Sequence, residues 1–280
     1  MNRRKTLDVH QNNYLLGNSD AEQERLIRQA IRLAPVSERF FRDAGIGPGQ
    51  RVVDIGSGVG DVAMLVARLV GPSGEVVGLE RDAGSVHRAR TRAAEAGFHN
   101  IIFVEIDIAR FSSDKPFDAA VGRYILQFLP DPVATLRSLA KRVRPGGIIA
   151  FQEISFAPFV ALSAHLPLWS AMVSLHVEAA MRLGVNTEMG PALHKAFQEA
   201  GLPAPRMRLE MELGHDPDFT RNIFDAHISI RPQMERLNLP LEKLGHLDTL
   251  HQRLQDEVAA SNAVVPWLPL VGAWCRTTAN

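Results

Sequence analysis

Between residues 51 and 154, short apolar runs alternate with helical stretches, and this rhythm constrains the fold more than any other feature. RVVDIG (51–56), EVVGLE (75–80), IIFVEID (101–107), FDAAVGR (117–123) and IIAFQEI (148–154) have the length and β-branched content of buried strands. Between them lie VAMLVARLV, a basic stretch over 83–96 that stops at Gly97, and DPVATLRSLAKRVRPGG, read as a helix ended by Pro-Gly-Gly. Strands joined by single helices at this spacing need crossover connections, so they form a parallel sheet covered on both faces. A further helix is expected over 20–44, with Pro35 interrupting it. After residue 155 the rhythm breaks. Helical patterns occupy about 167–183 and 190–200, PRMRLEMEL looks like a strand, and a second helical insertion covers about 218–260. VVPWLPLVGAWC supplies a candidate last strand.

Charge and cysteine content narrow the function classes. The chain balances 31 Lys+Arg against 31 Asp+Glu, which removes the electrostatic footprint of a sequence-independent nucleic-acid or polybasic membrane binder. Cys275 is the only cysteine, so intramolecular disulfides and thiolate-rich metal sites are excluded, and a reducing cytoplasm is expected. The first twenty residues lack the apolar core of a signal peptide. Residues 154–177 form a stretch of 24 without Asp, Glu, Lys or Arg, long enough to span a bilayer. That stretch also carries Pro158, Pro167, His165, His176 and four serines, so a buried or pocket-lining segment is expected instead of a span.

The sharpest motif is Asp54-Ile-Gly56-Ser-Gly58-Val-Gly60-Asp61, between a strand and a helix. Glycines there let the backbone turn tightly and approach a ligand at the sheet edge. A dinucleotide fingerprint would have glycine at position 61, opening a helix that receives pyrophosphate. Aspartate stands there, and two carboxylates suit an amine or sulfonium better than a pyrophosphate. Asp61 capping the helix and Asp54 bonding backbone amides are the structural alternatives. Glu80 ends the second strand, where an acidic side chain can accept both ribose hydroxyls, and Asp107 ends the third, where one can take an adenine amino group. The ordered set is far more specific than the glycines alone.

The runs VVDIGSGVGD, VVGLERD, VEIDIARF, FDAAVGRYILQFLPDP and RVRPGGIIAFQEI resemble the class I S-adenosylmethionine-dependent methyltransferases. They are most similar to bacterial small-molecule enzymes of the ubiquinone/menaquinone C-methyltransferase type, over about residues 48–155. The resemblance implies an α/β, Rossmann-like doubly wound sheet, mostly parallel, with helical cap insertions after strands 5 and 6. It implies an N-terminal cofactor-covering segment (1–45), a cofactor-binding core (46–155) and a substrate cap with the last strands (156–280). It implies S-adenosylmethionine as cofactor and S-adenosylhomocysteine as product. The implied cofactor contacts are Tyr14, Asp54, Gly56, Gly58, Glu80, Arg81, Asp107, Ile108 and Arg123. An Asn-Pro-Pro-Tyr motif is missing after the fourth strand, which argues against methylation of exocyclic amines, and no catechol-type metal site is recognisable.

The expected partner is a small, largely apolar metabolite of secondary metabolism, methylated on oxygen or carbon, with no nucleic acid; a homodimer stays compatible with the sequence. A non-methylating rearrangement or cyclisation, a silent ligand-binding protein, and a nicotinamide oxidoreductase, which Asp61 disfavours, are the competing readings. Candidate bases are His165, His176, Glu178, His215 and His227, with Glu153 at the end of the fifth strand; His176, Glu153 and His227 are favoured. Trp169, Met172, Val173, Phe219 and Phe224 are expected to wall a closed apolar cavity.

Overall fold

The computed structural model describes residues 20–278, with side chains from residue 23 onward except Asn222. Strands β1 (Arg51–Ile55), β2 (Glu75–Glu80), β3 (Ile101–Glu105), β4 (Phe117–Arg123) and β5 (Val143–Ile154) pair in parallel, in the order β3-β2-β1-β4-β5. Two later strands complete the sheet: β9 (Leu270–Arg276) runs antiparallel to β5, and β6 (Arg206–Glu210) antiparallel to β9. A two-residue pair, β7 (Leu213–Gly214) with β8 (Val265–Pro266), stands apart. The run expected as one last strand is thus split, and only its second part joins the main sheet.

Helices α1 (Asp20–Ala44), α2 (Asp61–Val70) and α3 (Ala83–Glu95) cover one face of the sheet. On that face Phe40, Phe41, Val52, Ala63 and Ile148 are almost fully buried. α4 (Pro132–Ala140) and α7 (Met189–Glu199) cover the other, through Leu136, Leu139, Leu193 and Phe197. α1 runs unbroken through Pro35, contrary to the sequence expectation. Pro35 and Ile31, whose carbonyl Pro35 leaves without a donor, both lie on the exposed face, where water can serve that carbonyl. The Pro-Gly-Gly run does not end α4 either. It falls inside β5, where the pairing with β4 shifts register between Phe117 and Ala119 and Gly146 adopts φ 73°.

The cap is made of α5 (Phe156–Ser163) and α6 (Pro167–Arg182), which follow β5, and of α8 (Pro217–Arg236) and α9 (Leu247–Ala260), which follow β6. The uncharged 154–177 stretch is therefore divided over two helices. Among the described residues no helix is long and apolar enough to cross a membrane. α6 has no cap from its own N-terminal neighbour. Glu257 of α9 fills that role, accepting the Leu168 and Trp169 amides at 2.8 and 3.0 Å. The Trp169 indole donates to the Leu254 carbonyl at 3.0 Å, so one aromatic side chain locks two helices 85 residues apart.

Candidate functional site

β1 pairs with β2 on one side and β4 on the other, and the chain leaves these strands in opposite directions, opening a crevice at their carboxyl ends. The glycine loop sits there. Gly56 has φ 63°, and a Cβ on it would run into Ile125, so the residue must be glycine on two counts. Gly58 has φ 51° and nothing within 4 Å of an added Cβ, so the loop backbone is open to approach on that side. Asp61 does not cap α2; it pairs with Arg92 at 2.7 Å, and Arg92 also donates to the Val59 carbonyl at 2.6 Å. α3 thereby braces the loop.

The carboxylates line this crevice. Burial raises the Asp54 carboxyl well above its ordinary value; Arg123 pulls it back, while Glu80 and Asp61 push it further up. The Ala63 amide bonds this carboxylate, yet among the described residues its Oδ2 is buried without a partner, as is the Ser57 hydroxyl. Glu80 accepts the Gly58 amide at 3.1 Å through Oε2 and the Arg81 and Asp82 amides at 2.8 and 2.9 Å through Oε1. Arg81 points its side chain outward. Asp107 is exposed and accepts the Ala109 amide at 2.8 Å, capping a short turn that begins at half-buried Ile108. Tyr14 lies outside the described residues.

At the end of β4, Arg123 donates to the Ser37 hydroxyl at 2.9 Å, and Ser37 donates to Gln152 at 2.7 Å, tying the strand ends to α1. Glu153 is fully buried and accepts the Ile125, Leu126 and Gln127 amides at 3.0, 2.8 and 3.4 Å. Burial pushes its carboxyl up to about 7 against those three bonds. Both oxygens are committed to the backbone, so this carboxylate anchors the turn after β4 instead of standing open as a base. Ser57, Tyr124 and Gln127 also carry buried polar atoms without partners among the described residues, and of these only Ser57, a hydroxyl between two glycines, has a mark in the sequence.

The two favoured histidines meet. His176 on α6 and His227 on α8 are buried, with Nε2 of the first 3.0 Å from Nδ1 of the second. Burial drives the His176 value well below normal, helped by His227; burial and then Arg231 push His227 down to about 4. Both imidazoles are neutral at pH 7, and His227 Nε2 has no partner among the described residues. His165 and His215 are exposed, and Glu178 pairs with Arg182 on its own helix. Trp169, Met172, Val173, Phe219 and Phe224 do not wall a cavity. They pack into one contiguous cap core, because large apolar groups on facing helices gain more by meeting one another than by lining a void. Tyr124 and Phe128, from the strand-end turn, pack against this core. Among the described residues no group of three or more His, Cys, Asp or Glu is arranged to hold a metal ion.

The sheet order β3-β2-β1-β4-β5, with a glycine loop after β1 and acidic groups at the ends of the first three strands, is a Rossmann-like arrangement. Comparison with known proteins specifies it. A family model described as a methyltransferase domain matches residues 46–201. The ubiquinone/menaquinone biosynthesis C-methyltransferase of Hahella chejuensis is 30% identical over 179 residues, covering 59% of this chain and 72% of the relative. The Coxiella burnetii enzyme of the same name is 32% identical over 118 residues, 41% of this chain and 47% of the relative; the match thus spans about half that enzyme's length. The BH2331 crystal structure from Bacillus halodurans superposes with a TM-score of 0.56 at 16% identity, over 86% of this chain and 98% of that one, a likeness of fold. The chain belongs to the methyltransferase-domain family, and membership implies S-adenosylmethionine as methyl donor.

Proposed function

We propose that this enzyme methylates an oxygen or carbon of a small, largely apolar metabolite, with S-adenosylmethionine bound at the glycine loop. The observation that carries the proposal is the fit between that cofactor and the crevice. Asp54, with one unpartnered buried oxygen, and the unpartnered Ser57 hydroxyl suit the ammonium of the methionine part. Gly58 lets the backbone come close while Gly56 makes the tight turn, Glu80 suits the ribose diol, and Asp107 with Ile108 suits the adenine. Arg123 suits the methionine carboxylate. When bound, the cofactor supplies an electrophilic methyl carbon on a sulfonium.

The chain's remaining work is to align the acceptor and take its proton. We assign that proton to His227 Nε2. With His227 Nδ1–H donating to His176 Nε2, His227 Nε2 carries an open lone pair, and His176 is a positioning residue. A base whose value is near 4 accepts protons poorly in the free enzyme. Negative charge developing on an adjacent acceptor raises that value, so basicity arrives with the substrate. The apolar cap core excludes water from this step.

The test is incubation with methyl-labelled S-adenosylmethionine and a panel of small phenols, enols and aliphatic alcohols. Labelled product and S-adenosylhomocysteine should form in equal amounts. A converted product without S-adenosylhomocysteine would replace methyl transfer with a rearrangement. His227→Gln should lower kcat by about two to four orders of magnitude, with cofactor affinity retained.

A further inference from the structure

We propose that the Tyr124 hydroxyl grips the methyl acceptor by donating a hydrogen bond to one of its oxygens, and that this selects acceptors with an anionic or carbonyl oxygen over amines. The inference rests on the methyl-transfer reading above.

Two separate costs converge on this residue. Tyr124 has φ 56°, in the left-handed region that a bulky side chain rarely adopts and that costs on the order of 1–3 kcal/mol. Its surroundings enforce the conformation. Its own amide donates to the Gln152 carbonyl at 2.9 Å, and Glu153 holds the next three amides. Its hydroxyl is buried and, among the described residues, has no hydrogen-bond partner. A tyrosine that served only as packing would be matched by phenylalanine without the penalty of an unpaired buried hydroxyl, which is roughly 1–3 kcal/mol. Unpaired groups of this kind in a native structure call for an explanation, and a ligand supplies one.

Tyr124 also stands at the junction of two regions. Tyr124 follows the carboxyl end of β4, and its neighbour Ile125 lies directly against Gly56 of the cofactor loop. On its other side the ring packs against the cap core that contains Trp169 and Met172. The residue therefore joins the cofactor crevice to the cap, where an acceptor must stand to be aligned with a departing methyl group. The charges around the phenol decide what it recognises. Burial raises its ionisation, and Glu153 adds to this, while the Arg123 and Arg25 guanidiniums pull the other way without prevailing. The phenol keeps its proton and is a donor. A donor beside two guanidiniums favours an oxygen carrying negative charge and disfavours an ammonium or an amine N–H. Arg123 and Arg25 are engaged with Ser37 and Gln29 and act here through their field.

Three matched probes test this: 4-nitrophenol, 4-nitroaniline and nitrobenzene, each titrated into the enzyme saturated with S-adenosylhomocysteine. Wild type should bind 4-nitrophenol in preference to both others, with the visible nitrophenolate band strengthened on binding. Tyr124→Phe should weaken 4-nitrophenol about tenfold, the worth of one charge-assisted hydrogen bond, and leave nitrobenzene within about twofold. A wild type that binds no 4-nitrophenol, or shows no preference for it, overturns the proposal; so does an unchanged affinity in Tyr124→Phe. The wild-type comparison stands alone if the variant does not fold. Calorimetry with S-adenosylhomocysteine separates the two readings. If wild type fails to bind it, the methyl-transfer reading falls as well; if it binds normally and the probes fail, only the role of Tyr124 is lost.

Discussion

The glycine loop and the cap bury polar groups in different ways. In the loop, Asp54, Glu80 and Asp107 are held by backbone amides from the first turn of α2, the glycine loop and the residues just past the strands, and glycines set the geometry. In the cap, polar groups find partners across the fold: Glu257 holds the start of α6, and His176 meets His227 from 51 residues away. Loop geometry is a matter of local backbone sterics, whereas cap geometry is a matter of which helices pack together. Damage to the loop should therefore appear in cofactor affinity, and damage to the cap in stability.

Trp169→Ala should separate the two regions most severely. The side chain is fully buried and ties α6 to α9, so its loss should cost about 3–5 kcal/mol in denaturant unfolding. Because the loop lies in a different core, affinity for S-adenosylmethionine should change by no more than roughly threefold. A large loss of affinity at full stability would erase the distinction.

Next in size is the pH response of the cap. Above pH 6.5 His227 is neutral folded or unfolded. As pH falls from 6.5 towards about 4 the unfolded chain takes up a proton that the folded one refuses, so stability falls by up to about 3 kcal/mol. His176 acts in the same direction. Asp54 and Glu153, with raised values, act oppositely: their unfolded forms ionise first, so stability from them falls as pH rises from about 4.5 to 7 for Glu153. The histidine contribution is isolated by subtracting the stability curve of a His176→Leu, His227→Leu double variant. Curves that stay parallel between pH 7 and 4 would mean that the pair is not buried neutral.

The loop should respond more mildly, and in affinity alone. Glu80→Ala should weaken S-adenosylmethionine by roughly ten- to a hundredfold, the 1.5–3 kcal/mol of hydrogen bonds to a charged group. Calorimetric titration reads it, and an unchanged dissociation constant would put the ribose elsewhere.

The five parallel strands and the loop between β1 and α2 were legible because each depends on neighbours in sequence. A short apolar run bounded by turn residues can do little but form a buried strand, and glycines at 56 and 58 permit backbone angles that other residues resist. The chain past residue 155 was legible only as helices and strands, with their bounds shifted. Its apolar side chains carry no mark of whether they will line a space or fill one, and here Trp169 and Met172 fill it.

By itself, then, the sequence determined the parallel sheet and the acidic crevice at its carboxyl edge, since steric limits on the backbone and the two-residue repeat of a strand act locally. Only the tertiary structure decided that α1 runs through Pro35, that Glu153 serves the turn after β4, and that Tyr124 holds a strained backbone with an unpartnered hydroxyl. It alone brought His176 to His227, because that contact depends on how α6 and α8 pack, and helical periodicity specifies a face without specifying what the face will meet.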